Sequence, residues 1–329
     1  MAKKKKSTTD QLWEKRMKSI NFKQFVEQTA NTYKMIVYGE TSVGKSTFWI
    51  KIIEALKAQG VKPEDTCFQV IYPDRATGIT KLAGEIDIDY INNIDIYPIS
   101  KYEELISATA TAEEKLLEHF RKTGHHGWMV HELLGQPWIF AQDYYTRKAY
   151  GKELGNFFAE MKQRSKAIRE DSSAYKAMDG WKDWPVIKFF HNYQWIDKIK
   201  VMPFNVLFTA EVKTEGRADS IFKDSGRPAG EKDDMHRVDE ILKLRKEGNQ
   251  YYMKPYKLTG YTKVYPEQKI TNNNPFIVHQ KMKKRLEKEG YCKSNIQQAE
   301  EQADIKPPKK PKAKPKESPK EEPPEEDDW

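Results

Sequence analysis

Gly39-Glu40-Thr41-Ser42-Val43-Gly44-Lys45-Ser46 spells the phosphate-loop pattern G-x-x-x-x-G-K-[ST], and its flanks give the spelling its meaning. Before it, Tyr33-Lys34-Met35-Ile36-Val37-Tyr38 is short and apolar, as a buried parallel strand is. After it, Phe48, Trp49, Ile52, Ile53 and Leu56 recur at helical spacing, and Gly60 follows where a glycine ends a helix. A strand, a glycine-rich turn and a helix in that order make an anion site. Backbone N–H groups approach phosphate oxygens, the helix N-terminus adds partial positive charge, and Lys45 reaches the β- and γ-phosphates. Gly39 through Thr47 are the nucleotide-binding candidates, with Ser46 the Mg²⁺ ligand and Thr47 the alternative hydroxyl.

Outward from the loop, strands and helices alternate. Cys67-Phe68-Gln69-Val70-Ile71-Tyr72 reads as a second strand ending at Pro73-Asp74, and Ile94 to Ile99 as a third. Ser100 and Glu103 form an S-x-x-E capping pair that opens a helix to about Arg121. Gly127 to Leu134 is an apolar stretch interrupted by Glu132. A strand beside the first one in phosphate-loop ATPases ends in an acid that holds Mg²⁺ directly or through water, and Glu132 is the candidate. Residues 139–178 and 189–200 read as helical, and Asn205-Val206-Leu207-Phe208-Thr209-Ala210 as a strand. Residues 211–234 are glycine- and charge-rich without an apolar period, which predicts a mobile loop. Ile241–Arg245 and Gln250–Lys254 flank Gly248-Asn249, a hairpin signal. This alternation predicts an α/β fold with a mostly parallel sheet flanked by helices.

Composition narrows the class. The 329 residues carry 57 Lys+Arg against 49 Asp+Glu, a net charge of +8 that suits a polyanion partner. Two cysteines give neither a disulfide framework nor a metal cluster, which fits a reducing, cytoplasmic setting. No run approaches the eighteen or so apolar residues of a membrane span. Residues 1–29 combine a lysine-rich arm with a loosely amphipathic lead-in, and residues 30–295 form the foldable unit. Residues 296–329 form a tail too poor in apolar side chains to fold, basic and proline-rich first and acidic at its end, closing on Trp329.

The order of these parts resembles the RecA-like ATPases of phages, the recombination and single-strand annealing group with an AAA-type nucleotide-binding domain. The resemblance rests on the phosphate loop, on Val130-His131-Glu132 through Trp138, on Asn205 to Glu211, and on the hairpin from Ile241 to Lys257. The family's usual acid is aspartate; here glutamate keeps the six-residue interval to the tryptophan. The resemblance implies ATP and Mg²⁺ as ligands, with Lys45, Asp74, Glu132 and Thr209 in catalysis. Asp74 would orient the attacking water, or else serve only as a turn former after Pro73. Thr209 would sense the γ-phosphate, with Glu211 next in line. Lys254 and Lys257 would reach a neighbouring subunit's nucleotide, which implies a homo-oligomer, or else lie on a solvated hairpin face. Lys213, Arg217, Phe222, Lys223 and Arg227 would bind single-stranded DNA, or else belong to a solvated surface insertion.

The expected activity is therefore ATP hydrolysis, stimulated by single-stranded DNA, in recombination or replication. A nucleotide-switched loader or scaffold, and a DNA motor, are the alternatives. The acidic, aromatic-ended tail implies docking on a single-strand-binding or replication protein; a solubilising tail is the other reading.

Overall fold

The computed structural model describes residues 32–73, 84–167, 182–213 and 226–292. Among them nine strands form one mixed sheet: β1 (Lys34–Gly39), β2 (Phe68–Tyr72), β3 (Ile94–Pro98), β4 (Trp128–His131), β5 (Asn205–Lys213), β6 (Arg227–Pro228), β7 (Glu240–Glu247), β8 (Gln250–Leu258) and β9 (Gln268–Lys269). The spatial order is β3-β2-β4-β5-β1-β7-β8-β9, with β6 paired to the far end of β5. The six strands from β3 to β7 are parallel, and β8 and β9 extend the sheet antiparallel. The longer helices are α1 (Lys45–Ala58), α2 (Tyr102–Thr123), α3 (Gly135–Tyr150), α4 (Leu154–Ala167) and α5 (Pro275–Lys288). A further helix starts at Asp183–Lys188, passes through the π-helical stretch Phe189–Ile196 and ends at Asp197–Lys200.

The central strands are apolar on both faces because helices cover both. On one face Met35, Val37, Val70, Val130, Leu207 and Leu242 pack with the α1 residues Phe48, Trp49, Ile52 and Ile53 and with Phe276 of α5. On the other, Ile36, Tyr38, Ile71, Met129, Val206 and Phe208 pack with Leu105 and Leu116 of α2 and with Trp195. Alternate residues of one strand thus serve opposite layers, as the pleat requires. This is an α/β phosphate-loop fold, a mostly parallel sheet between helical layers. No described helix is long and apolar enough to cross a membrane.

Helix α1 ends where the glycine signal put it. Gly60 adopts φ 80°, its N–H bonds the Lys57 carbonyl, and the Val61 N–H bonds the Leu56 carbonyl, which together close a Schellman turn. Three expectations need correction. The pair expected at Ser100 and Glu103 closes on Glu104 instead: its carboxylate accepts from the Ser100 N–H and hydroxyl, because the helix begins at Tyr102. The strand carrying Glu132 lies one place from β1, with β5 between them. Residues 211–234 are not one mobile loop. Glu211–Lys213 continue β5, and Val212 and Lys213 pair antiparallel with Pro228 and Arg227, which satisfies backbone groups that would otherwise project beyond the parallel sheet. The amphipathic lead-in, the 296–329 tail and residues 214–225 lie outside the described residues.

A buried charged cluster pins α5 to the sheet. The Glu240 carboxylate on β7 pairs with His279 Nε2 at 2.7 Å and accepts from Lys283 Nζ at 2.5 Å, while His279 Nδ1 meets the Tyr265 hydroxyl at 2.6 Å. Burial alone would raise the Glu240 carboxyl, but His279 and Lys283 outweigh it and hold it at about 2, below its ordinary 4.5. A depressed carboxyl contributes stability that is complete above the unfolded value and is lost as pH falls toward the folded one. We therefore expect urea midpoints to drop as pH is lowered from about 5 toward 2. Glu240→Gln, which leaves two buried partners uncompensated, should cost about 3–5 kcal/mol at neutral pH and flatten that acid limb. Midpoints measured across pH for both proteins check this.

Candidate nucleotide and metal site

The phosphate loop joins β1 to α1 through two left-handed residues, Ser42 at φ 65° and Gly44 at φ 91°. Gly44 is the N-cap of α1 and supplies no capping side chain, so the first N–H groups of the helix face the loop's concavity. Gly39 is required by space: a Cβ there would stand 2.4 Å from the Leu244 carbonyl oxygen of β7 and 2.7 Å from Val43 Cγ2. Lys45 is buried in this turn, and its Nζ donates to the Glu40 carbonyl at 2.5 Å. Burial pulls its ammonium below the usual lysine range, and the carboxylates of Glu211, Glu132 and Glu40 oppose that pull.

Glu132 stands at the carboxyl end of β4 and is 2% exposed. Its Oε2 accepts from Thr209 Oγ1 at 2.6 Å and Ser46 Oγ at 3.1 Å, and its Oε1 accepts from Trp49 Nε1 at 3.1 Å. Burial raises this carboxyl, while the three donors and Lys45 stabilise its charged form. The turn that follows is locked onto the same threonine: the Leu133 N–H bonds Thr209 Oγ1 at 3.0 Å and the Leu134 N–H bonds the Thr209 carbonyl at 2.7 Å. Leu133 is held at φ 57°, an uncommon conformation for a non-glycine residue. An adjacent hydroxyl and carboxylate form an oxygen donor set of the kind that suits a hard cation such as Mg²⁺, which Ser46 and Glu132 would hold.

The structure therefore brings Lys45, Ser46, Glu132 and Thr209 together, and leaves other expected residues apart. Thr209 is fully buried and donates its proton to Glu132, which positions that carboxylate. Asp74 lies outside the described residues; the strand leading to it runs beside β4, and the Glu132 N–H bonds the Ile71 carbonyl at 3.0 Å. Arg217, Phe222 and Lys223 also lie outside them. Lys213 and Arg227 face each other across the short ladder, and Arg227 Nη1 turns to the Pro228 carbonyl at 3.1 Å. On the hairpin, Lys254 is exposed, with its Nζ 5.0 Å from the Tyr256 ring centroid. Lys257 Nζ donates to the Met235, His236 and Val238 carbonyls of its own chain.

One participant carries no signal in the sequence. Trp49 is an apolar helix residue by its spacing, yet its indole N–H holds Glu132. Glu211, next in line after Thr209 in the sequence reading, aligns with Gly39 across β5 and β1 and is the strongest carboxylate influence on Lys45. His131, beside Glu132, is wholly buried between the Phe208 and Trp195 rings with neither ring nitrogen hydrogen-bonded, and burial lowers its imidazole to about 3.

The chain matches no protein-family model and no curated protein. Among solved structures it is similar to a prototypical ATPase from the type III secretion system of pathogenic bacteria, at 10% identity and TM-score 0.35 over 65% of this chain and 52% of that one. It is also similar to the ATPase EscN of enteropathogenic E. coli, solved as an assembly with its central stalk EscO, at 11% identity and TM-score 0.39 over 66% of this chain and 44% of that one. The chain spans about half the length of these structures. At that distance the likeness adds nothing to the sheet and loop described above.

Proposed function

We propose that the protein binds ATP with Mg²⁺ at the phosphate loop and hydrolyses it. The observation that carries this reading is the Glu132 carboxylate, bonded at once to Ser46 of the loop and Thr209 of β5, at the carboxyl edge of the sheet beside Lys45. In phosphoryl transfer the protein supplies positioning and charge rather than covalent chemistry. The loop amides and the α1 N-terminus hold the β- and γ-phosphates, and Lys45 exchanges the Glu40 carbonyl for a phosphate oxygen. A Mg²⁺ ion held by Ser46 and Glu132 would offset charge on those phosphates. Asp74 is the sequence's candidate for orienting the attacking water. The hydrogen bonds from Trp49 and Thr209 keep Glu132 in one rotamer, so the donor set is formed before ligand arrives.

The polymer we propose for this ATPase is single-stranded DNA, in recombination or replication, with the protein working as a homo-oligomer. Support comes from the net charge of +8, from Lys213 and Arg227 side by side where β5 leaves the sheet, and from Arg217, Phe222 and Lys223 in the intervening sequence. In such an oligomer Lys254 is the hairpin cation available to a neighbouring site.

Lys45→Ala should abolish hydrolysis and weaken triphosphate binding, measured by phosphate release and by titration with labelled nucleotide. Glu132→Gln should keep nucleotide but lose about 100-fold or more in Mg²⁺-dependent turnover. A wild-type rate in Lys45→Ala removes the phosphate loop from the mechanism, and a wild-type rate in Glu132→Gln means that the metal-binding acid lies elsewhere. Reversing Lys213, Arg217, Lys223 and Arg227 to glutamate should weaken single-strand binding, lower the salt slope by about 0.7 for each phosphate no longer neutralised, and spare basal turnover. An unchanged isotherm, or turnover that DNA does not stimulate in the wild type, would replace this with the loader or scaffold reading.

A further inference from the structure

Among the described residues, the helix from Asp183 to Lys200 is covered on three sides and open on the fourth. Its inward side buries Ile187, Trp195, Ile196 and Ile199 in the core. One flank meets α3, where Trp184 stacks on Trp138 with ring centroids 5.8 Å apart. The other meets the segment after β6, where Arg237 pairs with Asp197 at 2.9 Å and Lys188 with Asp233 at 2.8 Å. The outward side carries Val186, Phe189 and Tyr193, which are 39%, 48% and 63% exposed, and the two rings lie 6.0 Å apart. A contiguous apolar row is the informative exception on a protein surface, because it marks a place where something docks.

The chain itself supplies an occupant. The described residues begin at Thr32, and the next two are tied to the turn that ends this same helix. The Tyr33 N–H donates to Asn205 Oδ1 at 2.9 Å, and Lys34 Nζ donates to the Met202 carbonyl at 2.8 Å and to the Phe204 carbonyl. The N-terminal segment therefore joins the domain at the foot of the open row, beside Val201, which is also exposed. In that segment Trp13, Met17, Ile20, Phe22 and Phe25 recur at helical spacing. A helix over residues 13–25 is about 20 Å long, against about 25 Å for the helix it would lie on, and residues 26–31 reach up to about 20 Å. A helix so short is marginal by itself in water, and an apolar row is the partner that it lacks.

We propose that residues 13–25 fold back as an amphipathic helix along the Val186, Phe189 and Tyr193 row of their own chain, with Phe25 near Val201 and Trp13 near Phe189. The short connection keeps the segment at high local concentration, which favours its own chain over a second copy. Docked in this direction, the segment runs from the amino edge of the sheet to the carboxyl edge, where Lys188 meets Asp233. The Lys3–Lys6 arm is thereby delivered to the edge that carries the phosphate loop.

The test uses the full-length protein with the photo-crosslinker p-benzoylphenylalanine in place of Phe189, Tyr193 or Val201, one at a time, and maps adducts by mass spectrometry. We expect adducts within one chain, to residues 13–17 from position 189 and to residues 22–25 from position 201, at a yield independent of protein concentration. Hydrogen exchange in peptides covering residues 13–25 should be slowed about ten- to a hundredfold in the wild type. The double variant Phe189→Ser with Tyr193→Ser, which changes only surface side chains, should remove that protection. Exchange in β1, β4 and β5 should stay as in the wild type, which tells loss of docking apart from loss of the fold. Adducts formed only between chains assign the row to a second copy and overturn the proposal. No adduct to residues 13–25, unprotected exchange there in the wild type, or protection that survives the double variant overturns it as well. The reverse order of adducts overturns the direction and the placement of Lys3–Lys6 with it.

Discussion

A single buried carboxylate holds the site together. Glu132 accepts hydrogen bonds from the first two turns of α1 through Ser46 and Trp49 and from the middle of β5 through Thr209. An isolated carboxylate this deep would be costly to ionise, and three donors with a nearby ammonium are the means by which its charge is tolerated. The arrangement is reciprocal. Thr209 gives its proton to Glu132 and its lone pair to the Leu133 N–H, so the same hydroxyl fixes both the acid and the strained turn behind it. Removing any member leaves a buried polar atom without its partner, which costs about 1–3 kcal/mol.

The sheet order makes this possible. With β1 between β5 and β7, the loop leaving β1 has Glu211 on one side and Leu244 on the other. The Leu244 carbonyl comes so close that only glycine fits at position 39. The hairpin is therefore part of the phosphate loop's wall. The Glu240, His279 and Lys283 cluster then ties α5 to β7, and the Asn274 cap ties its start to α1, the phosphate loop's own helix.

Elements whose physics is local were legible in the sequence. The phosphate loop, the apolar strands on either side of it, the hairpin turn at Gly248 and the glycine ending α1 all follow from residues within one turn of each other. The pairing of Ser46 with Glu132 was legible too, because the acid sits at a strand end and the sheet does the rest. What stayed hidden depends on register. Trp49 looked apolar because its helical spacing is apolar, and only the placement of β4 against α1 gives its N–H a carboxylate. The cap at Glu104 rather than Glu103 turns on where the first helical residue falls, a single-residue matter that pattern spacing does not resolve. The edges of the 211–234 segment looked loop-like because they are polar, yet their backbone groups find partners in each other.

Lys45 and Glu132 share a setting in which burial pulls both toward neutrality: the ammonium is lowered and the carboxyl raised, with Glu211 and Glu132 both supporting the Lys45 charge. A triphosphate arriving alone would favour Lys45 and penalise Glu132, since it adds negative charge beside an anion already short of solvent. A divalent cation between them reverses that penalty, and the Ser46 hydroxyl, with two lone pairs and one proton, can face either partner. The glutamate at position 132 fits this exchange. Its carboxylate reaches across from β4 to bond the Ser46 hydroxyl directly, so the two oxygens that would hold the metal are already in contact.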